Sequence, residues 1–135
     1  MKKIQTFLIA SLIIYFLGHF SSCQKDEDYE YFLIQVDSVH IPESIEVNQP
    51  FELEFYGYIG HNGCYSFHEF IWEKQDQNIF VETWEEVSLK STICSDALVY
   101  LNGEKLSLLL KETGHYNLKI KQPDGTFPER QFLVE

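Results

Sequence analysis

Apolar and polar side chains alternate with a period of two along most of the chain, and this pattern constrains the fold more than any other feature. The clearest stretch is residues 51–56, Phe-Glu-Leu-Glu-Phe-Tyr, and residues 116–121 show the same period. Successive side chains of a β-strand point to opposite faces of the sheet, so the pattern predicts strands with one buried face.

Turn residues separate these stretches, notably residues 76–78 (Asp-Gln-Asn), 102–103 (Asn-Gly) and 123–125 (Pro-Asp-Gly). The Asn-Gly pair is a strong signal for a hairpin between two strands. With 135 residues, the chain is long enough for one domain. We predict an all-β domain, an antiparallel sandwich of seven to nine strands, with one helical turn at most, near residues 95–98.

The N-terminal 22 residues lack acidic side chains, start with a positive charge on Lys2 and Lys3, and continue with an almost wholly apolar run over residues 4–17. This order is typical of a secretory signal peptide. The run is shorter than the roughly 20 residues that a membrane-spanning helix needs, which disfavours an uncleaved anchor. We therefore predict a signal peptide over residues 1–22.

The segment that follows, residues 17–23 (Leu-Gly-His-Phe-Ser-Ser-Cys), resembles the end of a bacterial lipoprotein signal. In that family small residues, here Ser21 and Ser22, precede a cysteine that is lipidated and becomes the new N-terminus. Phe20 departs from the aliphatic residue usual at its position. The resemblance implies a lipid on Cys23, whereas a plain cleaved secretory signal is the alternative.

Residues 24–28, Gln-Lys-Asp-Glu-Asp, are similar to the short export tag of some Gram-negative surface lipoproteins. This resemblance implies an outer-membrane protein on the cell surface, held by its lipid. An ordinary solvated linker, with the protein on the periplasmic face, is the alternative. We interpret residues 23–30 as an acidic tether and residues 31–135 as the folded domain.

The chain is strongly acidic, with 21 Asp and Glu against 10 Lys and Arg and a formal net charge of −11. Loss of Lys2 and Lys3 with the signal peptide would make the mature charge −13. Such a balance argues against nucleic acid as a partner, because phosphate backbones are bound by basic surfaces. It favours fast encounter with a cationic partner.

Two cysteines remain if Cys23 carries lipid, and an even pair in an oxidising compartment predicts a disulfide between Cys64 and Cys94. Two separate buried thiols are the alternative. His61 and His68 flank Cys64, but zinc usually takes four ligands in closely spaced pairs. We expect no metal site and no cofactor.

No sequence motif predicts catalysis. Ser66 and His68 share one face of a predicted strand, yet the sequence around them lacks the glycine pattern of a nucleophile elbow. Carboxylate pairs suited to glycosidic chemistry arise by chance among 21 acidic residues. These pairs are Glu69 with Glu73 and Glu82 with Glu86. We therefore expect a protein that is not an enzyme.

Residues 114–118, Gly-His-Tyr-Asn-Leu, resemble the tyrosine corner of immunoglobulin-like domains. Trp72 resembles the core tryptophan of that fold. Leu118 stands where an antibody domain has its second core cysteine, and the paired strand offers Leu53 or Phe55, so the usual inter-sheet disulfide is missing. The resemblance implies an immunoglobulin-like β-sandwich, which by itself does not determine a function.

Aromatic residues make up 16% of the chain, and four of them are candidates for ligand binding. If Ile79, Val81 and Val87 point inward, Phe80 and Trp84 point outward. Tyr56 and Tyr58 likewise lie opposite the row Phe51, Leu53 and Phe55. Exposed aromatic side chains with polar neighbours mark binding faces. A bulge that shifts the alternation would instead place Trp84 in the core.

Together these features predict a non-catalytic surface lipoprotein that acts as a binding or adhesion accessory module. Its partners would be the membrane, through the lipid, and a protein or a glycan. The alternatives are an acidic inhibitor or immunity lipoprotein that neutralises a basic toxin or hydrolase, and a glycan-binding module.

Replacement of Cys23 with alanine should remove the anchor and release the protein from the membrane fraction. Replacement of Lys25, Asp26 and Glu27 with alanine should keep it membrane-bound but protect it from protease added outside the cell. Fractionation and external proteolysis, followed by immunoblotting, measure both effects. Sedimentation of the Cys23→Ala protein with membranes would contradict the lipoprotein prediction.

Overall fold

The structure is a computed structural model that describes residues 28–135. These residues form eight β-strands and no helix, which confirms the all-β prediction and its strand count. The strands are β1 (Tyr29–Leu33), β2 (Gln35–His40), β3 (Pro50–Gly60), β4 (Tyr65–Gln75), β5 (Asn78–Ser88), β6 (Val99–Leu109), β7 (Gly114–Ile120) and β8 (Glu129–Val134).

The predicted signal peptide and the lipidation site Cys23 lie outside the described residues. β1 begins at Tyr29, inside the predicted tether. Within residues 28–135, no helix has the length and apolar character needed to cross a membrane. The helical turn expected near residues 95–98 is an irregular loop.

The strands are arranged in two sheets, one of three strands in the order β2-β3-β6 and one of five strands around β5. β4 pairs with one edge of β5, while β1 and β7 share the other edge, and β8 lies beyond β7. The β5–β7 pair is parallel, whereas all other pairs are antiparallel. The observed architecture is therefore a two-sheet, sandwich-like fold that departs from a purely antiparallel arrangement.

The chain changes sheets at Ile34, between β1 and β2, where the Ile34 N–H donates to the Thr83 carbonyl at 2.8 Å. A second link joins the sheets near β2. The buried Gln122 side chain accepts from the Val36 N–H at 3.1 Å and donates to the Val36 carbonyl at 3.2 Å. The amide of Gln122 thus takes the place of a neighbouring strand.

Apolar side chains from both sheets fill the space between them, as the period of two predicts. The fully buried members include Leu53, Phe55, Leu108, Ile79, Val81, Leu118 and Val134. Tyr116 is also fully buried, and its hydroxyl donates to the Glu112 carbonyl at 3.0 Å. This hydrogen bond to the backbone four residues upstream is the local feature of a tyrosine corner.

The hairpin predicted at Asn102-Gly103 is wrong, because β6 continues through it without a turn. Gly103 has a φ of 86° and is the extra residue where the pairing with β3 shifts between Phe55 and Tyr56. Glycine adopts this backbone conformation readily, and it permits a β-bulge as well as a turn. The long strand β3 pairs with β6 on both sides of the bulge, so one strand replaces the predicted two.

The prediction of Trp72 as a core tryptophan is also wrong, since 41% of its surface is exposed. It lies on β4, the edge strand of the five-stranded sheet, directly opposite Val81. Val81, on the neighbouring central strand, is fully buried, whereas Trp72 on the edge strand stays partly open to solvent. Phe55 and Tyr116 provide the fully buried aromatic rings instead.

The Cys64–Cys94 disulfide is confirmed and joins the loop before β4 to the loop after β5, with a Cα–Cα distance of 5.2 Å. The neighbouring Gly63 N–H donates to the Ser95 carbonyl at 2.9 Å, so the two loops also share a backbone hydrogen bond. The bridge therefore constrains loops at one end of the sandwich and does not cross its core.

Loss of the disulfide should lower the free energy of unfolding by about 3–4 kcal/mol, because the bridged residues are 30 apart in the sequence and the open loop has more conformational entropy. Urea unfolding of the Cys23→Ser protein with and without reductant measures this difference. A Cys64→Ser, Cys94→Ser variant, insensitive to reductant, is the control. Two alkylated thiols in the unreduced protein would contradict the disulfide.

Polar side chains interrupt the inner face of β5 at Thr83 and Glu85. Both are buried, Glu85 with 7% of its surface exposed, and neither Thr83 Oγ1 nor Glu85 Oε2 has a hydrogen-bond partner among the described residues. Burial disfavours the charged carboxylate and raises the pKa of Glu85 to about 7. The inner face of this strand is therefore not purely apolar.

Glu85 should make the domain less stable as pH rises. Because its folded pKa is about 7 and its ordinary value 4.5, the native state binds more protons between these values, and stability falls across that range before levelling off above it. The total loss is roughly 3 kcal/mol. Glu85→Gln should remove most of this slope in urea unfolding from pH 4 to 8, while Glu104→Gln, at an exposed position of β6, should retain it. An unchanged slope in Glu85→Gln would contradict the assignment.

Candidate functional site

Strand β5 presents Phe80, Glu82, Trp84 and Glu86 on the outer face of the five-stranded sheet. The alternating residues Ile79, Val81, Thr83 and Glu85 are buried, so no shift of the alternation places Trp84 in the core. The only irregularity in the pairing of β5 with β4 lies between Phe67 and Glu69 of β4. The outer row of β5 is therefore continuous.

Trp84 lines a shallow pocket of about 290 Å³ with Tyr31, His68, Glu69 and Ile71. The register explains this assembly, because Trp84 is directly opposite Glu69 on β4 and next to β1 on its other side. We call this group the Trp84 pocket. Tyr31 and Ile71 are large apolar side chains with 46% and 49% of their surfaces exposed, so most of the pocket wall is carbon accessible to solvent.

A hydrogen-bond chain fixes the indole of Trp84. Its Nε1–H donates to Glu82 Oε2 at 3.1 Å, and Lys121 Nζ donates to Glu82 Oε1 at 2.7 Å. The Lys121 hydrogen bond lowers the pKa of the Glu82 carboxyl, and the Trp84 N–H acts in the same direction. Glu82 is thereby held as a carboxylate, which is the opposite of what a general acid requires.

Ser66 and His68 both bind the same carboxylate, that of Glu86. Ser66 Oγ donates to Oε1 at 3.2 Å, and His68 Nδ1 lies 3.0 Å from Oε2. In a catalytic triad the histidine lies between the hydroxyl and the acid, whereas here the carboxylate lies between the other two. The arrangement lacks the Ser–His hydrogen bond that would activate a nucleophile. It orients His68 instead, whose ring contacts Tyr31 at 4.6 Å between centroids.

Phe80 lies in a second shallow depression of about 350 Å³, shared with Trp72 and Ile71. Lys119 Nζ lies 5.5 Å from the Phe80 ring centroid and 3.2 Å from a carboxylate oxygen of Glu129. Ile71 also lines the Trp84 pocket, so the two depressions are neighbours on one face.

Tyr56 and Tyr58 lie on the outer face of the three-stranded sheet, on the opposite side of the sandwich from Trp84. The Tyr58 and Tyr100 rings pack edge to face at 5.7 Å, and the Tyr56 hydroxyl donates to Glu54 at 3.2 Å. Partial burial and the Glu54 carboxylate raise the pKa of Tyr56. The four candidate aromatic residues therefore cannot form one site, because the core separates the two pairs.

The metal-ligating candidates are separated in the structure. Cys64 is in the disulfide, His61 packs against Tyr65 at 5.0 Å, and His68 faces Glu86. No group of three or more His, Cys, Asp or Glu side chains suited to a metal ion occurs in residues 28–135.

Sequence reasoning missed Tyr31 and Ile71 as pocket residues. Tyr31 belongs to segment 29–33, which starts with the alternating residues Tyr-Glu-Tyr. The period of two therefore already indicates a strand in this segment. No sequence signal shows that β1 and β4 flank the same part of β5.

Comparisons of the chain with protein-family models, with curated proteins and with solved structures found no match.

Proposed function

We propose that this protein is a non-catalytic lipoprotein of the outer-membrane surface, anchored through Cys23, that acts as a binding or adhesion accessory module. The Trp84 pocket is its ligand-binding surface. The observation that carries the proposal is an indole, held in place by Glu82 and Lys121, on a face whose aromatic and aliphatic side chains are open to solvent.

Physical chemistry supports a binding role for this face. An aromatic side chain offers a large contact area with little conformational entropy to lose, and contiguous exposed apolar groups with a polar rim are typical of interaction sites. Glu69 supplies a carboxylate to that rim, and Glu86 already orients His68. The site is thus largely formed before a ligand arrives.

The same proposal includes an immunoglobulin-like fold. The tyrosine-corner hydrogen bond of Tyr116 and the full burial of Leu53, Phe55 and Leu118 support it. In that family the third main strand lies beside the sixth. Here β5, and not β4, lies beside β7, so the two strands of the β4–β5 hairpin would stand in the reverse order. The β5–β7 pair is parallel as a consequence.

Glycan binding is the second candidate function, and the exposed carbon wall around Trp84 favours it. Sugar rings stack on aromatic faces, and carboxylates such as Glu69 accept hydrogen bonds from hydroxyl groups. Because stacking on an aromatic face is little affected by ionic strength, binding of a neutral glycan should be nearly independent of salt.

Trp84→Ala should reduce capture of envelope components at least tenfold while keeping the domain folded, since the indole lies outside the core. The mature protein, immobilised as bait for envelope extract, gives the measurement by quantitative mass spectrometry. The free energy of unfolding, measured in urea, should fall by only about 1 kcal/mol, as expected for a half-buried side chain with one hydrogen bond.

Tyr58→Ala is the matched control, because it removes an exposed aromatic side chain from the other outer face. Capture by this variant should equal that of the wild type. If Tyr58→Ala loses capture and Trp84→Ala keeps it, the binding surface lies on the three-stranded sheet instead. A loss of stability above about 3 kcal/mol in Trp84→Ala would show a structural tryptophan instead.

A further inference from the structure

We infer that the Trp84 pocket takes a single cationic side chain, a lysine or an arginine, from a basic protein partner. This inference rests on the proposed binding function and specifies its ligand. It commits the site to a protein rather than to a glycan, on the basis of the charge and the chemical nature of its lining.

The pocket size suits one anchoring side chain. At about 290 Å³ it lies at or below the lower end of the roughly 300–1,000 Å³ found for small-molecule sites. A protein interface commonly places one arginine or aromatic anchor in such a depression and surrounds it with weaker contacts.

The walls match both parts of a cationic side chain. Trp84 and Tyr31 offer aromatic surfaces over which an ammonium or guanidinium group is attracted, and Ile71 offers carbon to its aliphatic stem. Glu69 supplies a carboxylate at the rim, with 56% of its side chain exposed and only a 3.5 Å contact to His68 Nε2. The Glu69 carboxylate therefore remains accessible to a cationic side chain.

The protein supplies little positive charge of its own here. Lys121 is bound to Glu82, whereas Glu69 and Glu86 contact no lysine or arginine among the described residues. The chain as a whole carries a net charge of −11. The local charge at this face is therefore negative, like the net charge of the chain. Both attract a basic partner towards this face.

A neutral sugar fits this lining less well. Glu69 can accept from sugar hydroxyl groups, but among the pocket side chains only Tyr31 and His68 can donate to them, because the Trp84 Nε1–H is already bound to Glu82. A sugar ring carries several hydroxyl groups that lose hydrogen bonds to water on binding, and each buried one without a partner weakens the complex. A cationic side chain needs only the carboxylate and the ring faces.

Fluorescence of Trp84 can test this directly. The chain contains two tryptophans, so Trp72→Phe leaves Trp84 as the only one. The full mature chain with Trp72→Phe and Cys23→Ser is titrated with a peptide of four Gly-Ser-Arg repeats and with its citrulline counterpart, which has the same shape without the charge. We expect the arginine peptide to change the emission with at least tenfold higher affinity, and this preference to fall at 0.5 M salt.

Charge-matched variants locate the binding. Glu69→Gln should weaken the arginine peptide about fivefold, as expected for loss of an exposed ion pair beside an aromatic wall. Glu52→Gln removes the same charge from the other outer face and should change affinity less than twofold. Equal affinity for the citrulline peptide, or equal weakening by the two variants, would overturn the inference.

A third titration separates this inference from the proposed function. If soluble envelope oligosaccharides change the Trp84 emission and the arginine peptide does not, the pocket remains a binding site and the cationic ligand is wrong. If neither probe changes the emission, the inference is overturned. The proposed function is contradicted too only if the Trp84→Ala variant captures envelope components to the same extent as the wild type.

Discussion

The backbone pairing of β5 along both of its edges is the interaction on which the rest of the structure depends. One edge carries β4, and the other carries β1 and β7 end to end, so a single strand aligns three others. β5 can take this position because its inner face is buried against the core, while Trp84 and two glutamates on its outer face are only half-buried. Without this strand, neither the core nor the Trp84 pocket would be assembled.

The same strand has a thermodynamic cost on its inner face. Thr83 and Glu85 bury polar atoms for which the described residues offer no hydrogen bond, close to the end of the sandwich that the disulfide constrains. An unpaired buried carboxyl destabilises a fold, and the raised pKa of Glu85 reflects that cost. The Cys64–Cys94 bridge restricts the unfolded chain, which offsets such a loss in a domain of about 110 residues.

The outer face of the five-stranded sheet combines rigidity with accessibility. Carboxylates orient the two groups most useful for binding, since Glu82 holds the indole of Trp84 and Glu86 holds the imidazole of His68. Tyr31 and Ile71 contribute exposed surface without such restraints. A surface prepared in this way loses little conformational entropy when a ligand binds, which supports the proposed recognition role.

Sequence alone determined the all-β class and the buried and exposed rows of β3, because a period of two depends only on local geometry. It also predicted the pairing of Cys64 with Cys94, on the condition that Cys23, the third cysteine, is used elsewhere. The sequence of segment 79–87 left open which face of the strand carries Trp84. Only the tertiary structure decided that Gly103 forms a bulge, that Trp72 lies at an open edge, and that the tyrosines of β3 face away from Trp84. These features depend on which strands are neighbours. Backbone hydrogen bonds between distant segments set that arrangement, and the side-chain pattern of one strand does not specify its partners.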